Sequence, residues 1–202
     1  MTHSLHYPRK TSPGVHRGKV KKTDRIAETS NYWNTPQPFP VVDRENPGKG
    51  FRHFLTKKDI YSFVEILPEW EKISKGLRAV VLCAGEQGVD GWHTRSIVAI
   101  NAWEEDCWRS VPVDYYHIHK YLFSRLRVPC LKKGQQYQCR FTPDTVKAFQ
   151  LLHVFLHELG HHHDRMTTRR RKESSRGEAF AEKYALRFGD MVWDRFMDVF
   201  RL

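Results

Sequence analysis

The stretch Leu152-His153-Val154-Phe155-Leu156-His157-Glu158-Leu159-Gly160-His161-His162-His163-Asp164 contains the pattern His-Glu-x-x-His at residues 157–161. The apolar side chains of Val154, Phe155, Leu156 and Leu159 mark the segment as a helix buried on one side. On a helix, positions four apart lie on one face, about 6 Å along the axis. His157 and His161 are thereby spaced to ligate one metal ion. Glu158 points to the side of that ion, where its carboxylate can take a proton from a metal-activated water. Two histidines on a mostly apolar helix are costly without partners. The competing reading is a core helix whose histidines bond to backbone or to each other.

A catalytic zinc takes three protein ligands and leaves one position open. The third ligand is expected from a second helix, at Gly177-Glu178-Ala179-Phe180-Ala181-Glu182-Lys183-Tyr184-Ala185. Glu178 and Glu182 are four apart and share a face, and Ala181 and Ala185 permit close helix packing. We read Glu178 as the ligand. Glu182 is read as the carboxylate that bonds the free ring nitrogen of a ligand histidine, His157 in the first instance, and raises its basicity. The reverse assignment of the two glutamates stays open, as does a solvated i,i+4 pair unrelated to metal.

His157 to His161, followed by Glu178-x-x-Ala181-x-x-Tyr184-Ala185, resembles the gluzincin branch of the zincin metallopeptidases. The second helix looks most like that of the ImmA/IrrE-type metallo-endopeptidases and, more distantly, of membrane-bound zincin peptidases. The resemblance spans residues 78–190, with specific motifs over about 20 of them. It implies an α+β, zincin-like domain with a small mixed or antiparallel sheet packed on the metal helix. It also implies a Zn2+-dependent endopeptidase with His157, His161 and Glu178 as ligands and Glu158 as general base. Glu182 departs from the family, which usually carries Asp or Asn there, and no helix-turn-helix module is evident. Asp164 and Thr167 stand where a metzincin needs Gly and His.

The chain has 202 residues, 40% of them hydrophobic and 13% aromatic, enough for one core. Its net charge is +11, from 34 basic and 23 acidic side chains. No run of 18 apolar residues occurs, and the N-terminus lacks the apolar core of a signal peptide. These features predict a cytoplasmic protein with no membrane partner.

Residues 1–50 read as a basic, Pro-rich, largely disordered extension, with nine Lys and Arg against four Asp and Glu. Residues 51–202 read as the metallopeptidase domain. The extension and the basic connection Arg165–Arg176 are candidate contacts for nucleic acid, beside a protein or peptide substrate. A solvated tail and loop account for the same charges. The alternative function is a nucleic-acid-associated or partner-binding protein with a structural or vestigial zinc site.

Further expectations follow from local signals. Thr56 is expected to cap a helix ending near Ile66, and Pro68 to open a short one ending near Gly76. Leu77–Cys83 and Trp92–Trp103 read as strands. By analogy with zincins, Ser96–Asn101 is expected to be the edge strand that pairs with substrate. Asp114 is expected to cap a helix reaching Leu126, on which His117 and His119 face different sides.

Arg127–Phe141 reads as a hairpin in which Cys130 and Cys139 face each other. A cytoplasmic chain would keep its four cysteines reduced, and Cys130–Cys139 is the pair to bridge if any does. Thr142 and Pro143 open the helix that carries the metal motif to about Asp164. His153, His162 and His163 are read as assisting residues, as binders of adventitious metal or as simply exposed. His93, Tyr184 and an arginine of the basic loop are the candidates for stabilising an oxyanion.

Overall fold

The computed structural model describes residues 15–16, 19–20, 32, 39–168 and 176–201. The chain divides into two compact units, residues 1–37 and 38–202. In the first, β1 (Val15–His16) pairs antiparallel with β2 (Lys19–Val20). Residues 1–14, 17–18, 21–31 and 33–38 of the expected extension lie outside the described ones.

The second unit is mixed α+β. Its central sheet has the order β3 (Val41–Arg44), β5 (Ala79–Cys83), β7 (Ile97–Asn101), β6 (Gly91–Thr94). Strand β3 pairs with β5, and β5 with β7, in parallel, whereas β6 runs antiparallel to β7. Both β5 and β7 are buried at every position, which explains their uninterrupted apolar sequences. Strand β3 falls in the stretch that the sequence reading assigned to the extension, so packed structure begins before residue 51. A short pair, β4 (Phe51–Arg52) with β8 (Trp103–Glu104), lies beside it.

Two sequence expectations are corrected here. Trp92–Trp103 is not one strand, because the chain reverses at Arg95, whose φ is 49°, and Thr94 then pairs with Ile97. The edge of the sheet is therefore β6 and not the segment Ser96–Asn101, which lies inside.

A second sheet is an antiparallel meander of β10 (Cys130–Lys133), β11 (Gln136–Arg140) and β9 (Trp108–Pro112). Cys130 and Cys139 are register partners and are joined as a disulfide, against the expectation of four thiols. Cys83 and Cys107 are free and buried. Strand β9 leads into α3 (Val113–Arg125), whose cap is Pro112. Asp114 sits in the first turn and is not the cap.

The other helix starts follow local chemistry. In α1 (Lys57–Ile66) the Thr56 hydroxyl accepts from the Asp59 amide at 3.2 Å. The Asp59 carboxylate in turn accepts from the Thr56 amide at 2.7 Å. Thr142 and Thr145 make the same reciprocal box at α4 (Pro143–Phe149). Lys147, in the last turn of α4, donates to Asp59 at 2.9 Å and ties α4 to the start of α1. The short α2 is Trp70–Ile73.

Helix α4 continues through a π-helical stretch, Gln150–Phe155, into α5 (Leu156–Thr167). Rings of Phe63, Phe155 and Phe196 meet edge to face at 5.9 Å, joining α1, this stretch and α6 (Gly177–Phe200) in one core. Among the described residues no helix is long and apolar enough to cross a membrane.

Two glycines set the distance between α6 and the metal-motif helix. A Cβ on Gly160 would stand 2.8 Å from the Ala181 Cα, and one on Gly189 would stand 3.0 Å from the Leu152 carbonyl oxygen. Gly160→Val should therefore push α5 and α6 apart. A loss of about 1–3 kcal/mol is expected from overpacking, measured by urea unfolding. Unchanged stability would show that this contact is not the tight point of the fold.

Candidate metal centre

The close approach of α5 and α6 brings His157, His161 and Glu178 to one spot on the floor of a cleft of about 910 Å³. His157 Nε2 lies 3.2 Å from His161 Nε2 and 3.1 Å from one Glu178 carboxylate oxygen. The other Glu178 oxygen is 3.3 Å from His161 Nε2. Ligands held tetrahedrally about 2.0–2.1 Å from a zinc-sized ion stand roughly 3.3 Å from one another. The donor set and its spacing fit, and these three groups can hold a metal ion.

Glu182 lies one turn after Glu178, with a carboxylate oxygen 3.3 Å from His157 Nδ1. A carboxylate at that position favours the proton on Nδ1 and leaves the lone pair at Nε2, on the side facing Glu178 and His161. Burial alone would lower the His157 pKa, but Glu182, Glu158 and Glu178 outweigh it and raise it. His161 is shifted down by burial and by His157.

Glu158 is 7% exposed and lines the same cleft. Burial pushes its carboxyl up to about 7; the adjacent His157 opposes the shift, while Glu178 and Asp90 add to it. A carboxyl poised near neutrality can both accept and return a proton.

No protein-family model, curated protein or solved structure matches this chain. The site is therefore read from its own geometry.

Edge strand β6 forms one wall, where Gly91 packs so close that a Cβ would meet Val154 at 2.8 Å and Glu158 at 3.3 Å. His93 on this strand stacks over His161, with centroids 6.5 Å apart. Of the side chains suggested for an oxyanion, His93 lines the cleft. Tyr184 does not; it packs against His163 and Phe188. Residues 169–175 of the basic loop lie outside the described residues.

His162, read as auxiliary or exposed, is fully buried, and its Nε2 meets the Lys75 carbonyl at 3.1 Å. The polar network around Asp90 was not foreseen. Next to β6, Tyr115 donates to Asp90, both lining the cleft, and behind them Arg109 bridges Asp90 and Glu104 while its guanidinium covers the Trp103 ring at 3.3 Å. No local spacing signals this network, since its members come from four separate segments.

Asp164 was also missed as a functional residue. It is fully buried at the end of α5, and its carboxylate accepts from the backbone amides of Arg176 at 2.6 Å and Gly177 at 3.2 Å. It also accepts from the Arg176 Nε at 2.8 Å. It thus holds the N-terminus of α6, one residue before Glu178. An anion there satisfies amides that the helix leaves unpaired. Burial would raise the Asp164 pKa, but the bonds from Arg176, Thr168 and Gly177 outweigh it and depress it.

Asp164→Ala should cost about 1.5–3 kcal/mol, the range for hydrogen bonds to a charged group. The depressed pKa gives a sign as well. Above the unfolded value of about 3.9 the contribution is fully present. It is lost as pH falls towards the lower folded value, because the unfolded chain then binds a proton that the folded one refuses. Asp164→Asn should show a shallower acid limb than wild type in urea unfolding. Identical limbs would remove Asp164 from this role.

Proposed function

We propose that this protein is a zinc-dependent endopeptidase of zincin-like design. One observation carries the reading. His157 Nε2 and His161 Nε2 lie 3.2 Å apart, and each stands 3.1–3.3 Å from a different Glu178 oxygen, beside a buried glutamate in a cleft lined by edge strand β6. His157, His161 and Glu178 would hold the ion, with Glu182 orienting His157. Two imidazoles and one carboxylate with an open side suit zinc among the common divalent ions. Zinc bound there would supply an acidified water molecule and a Lewis acid for a carbonyl oxygen.

The remaining chemistry belongs to the chain. The Glu158 carboxylate takes the proton of the attacking water and delivers it to the leaving nitrogen. Burial of Glu158 keeps its carboxyl near neutrality and so suits both transfers. Strand β6 has one neighbour in the sheet, and its Gly91, Trp92 and His93 line the cleft. An extended peptide can add to that edge through backbone hydrogen bonds, with its side chains read by the cleft walls. The substrate class is accordingly a protein or peptide segment in extended form.

Glu158→Gln should retain zinc at the wild-type level and lose hydrolysis of a fluorogenic peptide mixture by at least about a hundredfold, the usual contribution of a general base. His157→Ala should lose both metal and activity. Elemental analysis and initial rates read the two effects separately. Wild-type turnover by the Glu158→Gln protein would sink the assignment.

A further inference from the structure

One turn before His157, the helix carries another histidine that the proposed reaction does not use. His153 sits in the π-helical stretch and is 7% exposed. Facing it from α3 is His119, 6% exposed, and from α6 Glu182. One ligand atom from each of these three residues lies within 4.8 Å of the others. All three line the cleft that holds His157 and His161. Short π-helical turns inside α-helices are often found at functional sites.

The geometry points to a second divalent-cation site, formed by His119, His153 and Glu182 beside the first. It rests on that cleft being a metal centre but uses a separate histidine pair. The orientation of His119 supports it. Its Nδ1 lies 2.7 Å from the Tyr115 carbonyl oxygen and donates to it, so Nε2 carries the lone pair and faces His153. A ligand histidine whose far nitrogen is held by a backbone carbonyl is the usual arrangement in metal sites.

Burial holds both imidazoles below their ordinary pKa, so neither is a cation competing with the metal. Glu182 supplies the negative charge. One of its oxygens lies 3.7 Å from His153 Nε2, and the other is buried without a hydrogen-bond partner among the described residues. A buried, unpaired carboxylate oxygen is costly, and a cation would satisfy it.

The two Nε2 atoms are 2.7 Å apart. That is the separation of an N–H···N hydrogen bond, with His153 as donor because the His119 proton is committed to Tyr115. Tetrahedral ligands stand roughly 3.3 Å apart, so a cation must move the His153 proton to its other nitrogen and part the rings by about 0.6 Å. Imidazole and carboxylate together suit zinc, cobalt or manganese.

The test is metal stoichiometry of the full-length protein, stripped with chelator, equilibrated with Zn2+ and desalted. Wild type should hold two equivalents, His119→Phe one, His161→Ala one, and the double variant none. A single equivalent in wild type, unchanged in His119→Phe, would overturn the second site and leave a hydrogen-bonded histidine pair. Two equivalents retained by His119→Phe would overturn it equally. If instead His161→Ala loses nothing while His119→Phe loses one, the first site fails and the second stands. Co2+ titration of the wild type gives a reading that does not depend on variants folding. Two successive steps in the visible spectrum support the proposal, and one step opposes it.

Discussion

Everything at the candidate centre depends on how closely α5 and α6 approach. At Gly160 the two backbones are too near for even a methyl group without a shift, since the Ala181 Cα would stand 2.8 Å away. That contact places the first two turns of α6 over the face of α5 that carries the histidines. Glu178 then reaches His157 and His161, and Glu182 reaches His157 from the other side of its ring. Larger residues at the crossing would leave the same side chains out of reach. The small residues at 160 and 181 are therefore positional as much as structural.

Asp164 supplies the second constraint. A helix N-terminus leaves unpaired amides, and here a buried carboxylate from the neighbouring helix takes two of them. The Glu178 side chain is 81% exposed and receives little packing support of its own. Its position is inherited from Arg176 and Gly177, which Asp164 holds. Glu158 and His157 are fixed differently, by burial within the core. The candidate centre thus combines two histidines on one helix with a glutamate whose placement depends on the buried carboxylate of Asp164.

Local chemistry was legible in the sequence. Thr56 and Thr142 announce their helices because a cap needs only residues within four positions. The hairpin around Gly134 and the pairing of Cys130 with Cys139 follow from symmetric spacing about a turn. The i,i+4 spacings of His157 with His161 and of Glu178 with Glu182 also follow from helical geometry, while their meeting depends on the packing of α5 on α6. What could not be read depends on packing between distant segments. The reversal at Arg95 carries neither Gly nor Asn at the left-handed position, so no turn signal marks it. Which strand forms the sheet edge is a property of topology, and Ile97–Asn101 is as apolar as it is because it lies inside. His119 and His153 are 34 positions apart, and Asp164 and Arg176 twelve. Neither pair leaves a periodic trace.

The electrostatics of the cleft follow from the same packing. Glu158, Glu178 and Glu182 converge on His157 and raise its pKa against the effect of burial, while burial lowers those of His161 and His153. Burial raises the Glu158 carboxyl, and the neighbouring charges of Glu178 and Asp90 add to the shift. A surface network would relax by moving side chains into solvent. Here the close approach of Gly91 to Glu158 denies that escape to the buried carboxyl, while Glu178 stays exposed. The fold holds these carboxylates and imidazoles close enough together to hold a metal ion. That arrangement costs stability, which the aromatic core joining α1, the π-helical stretch and α6 is placed to offset.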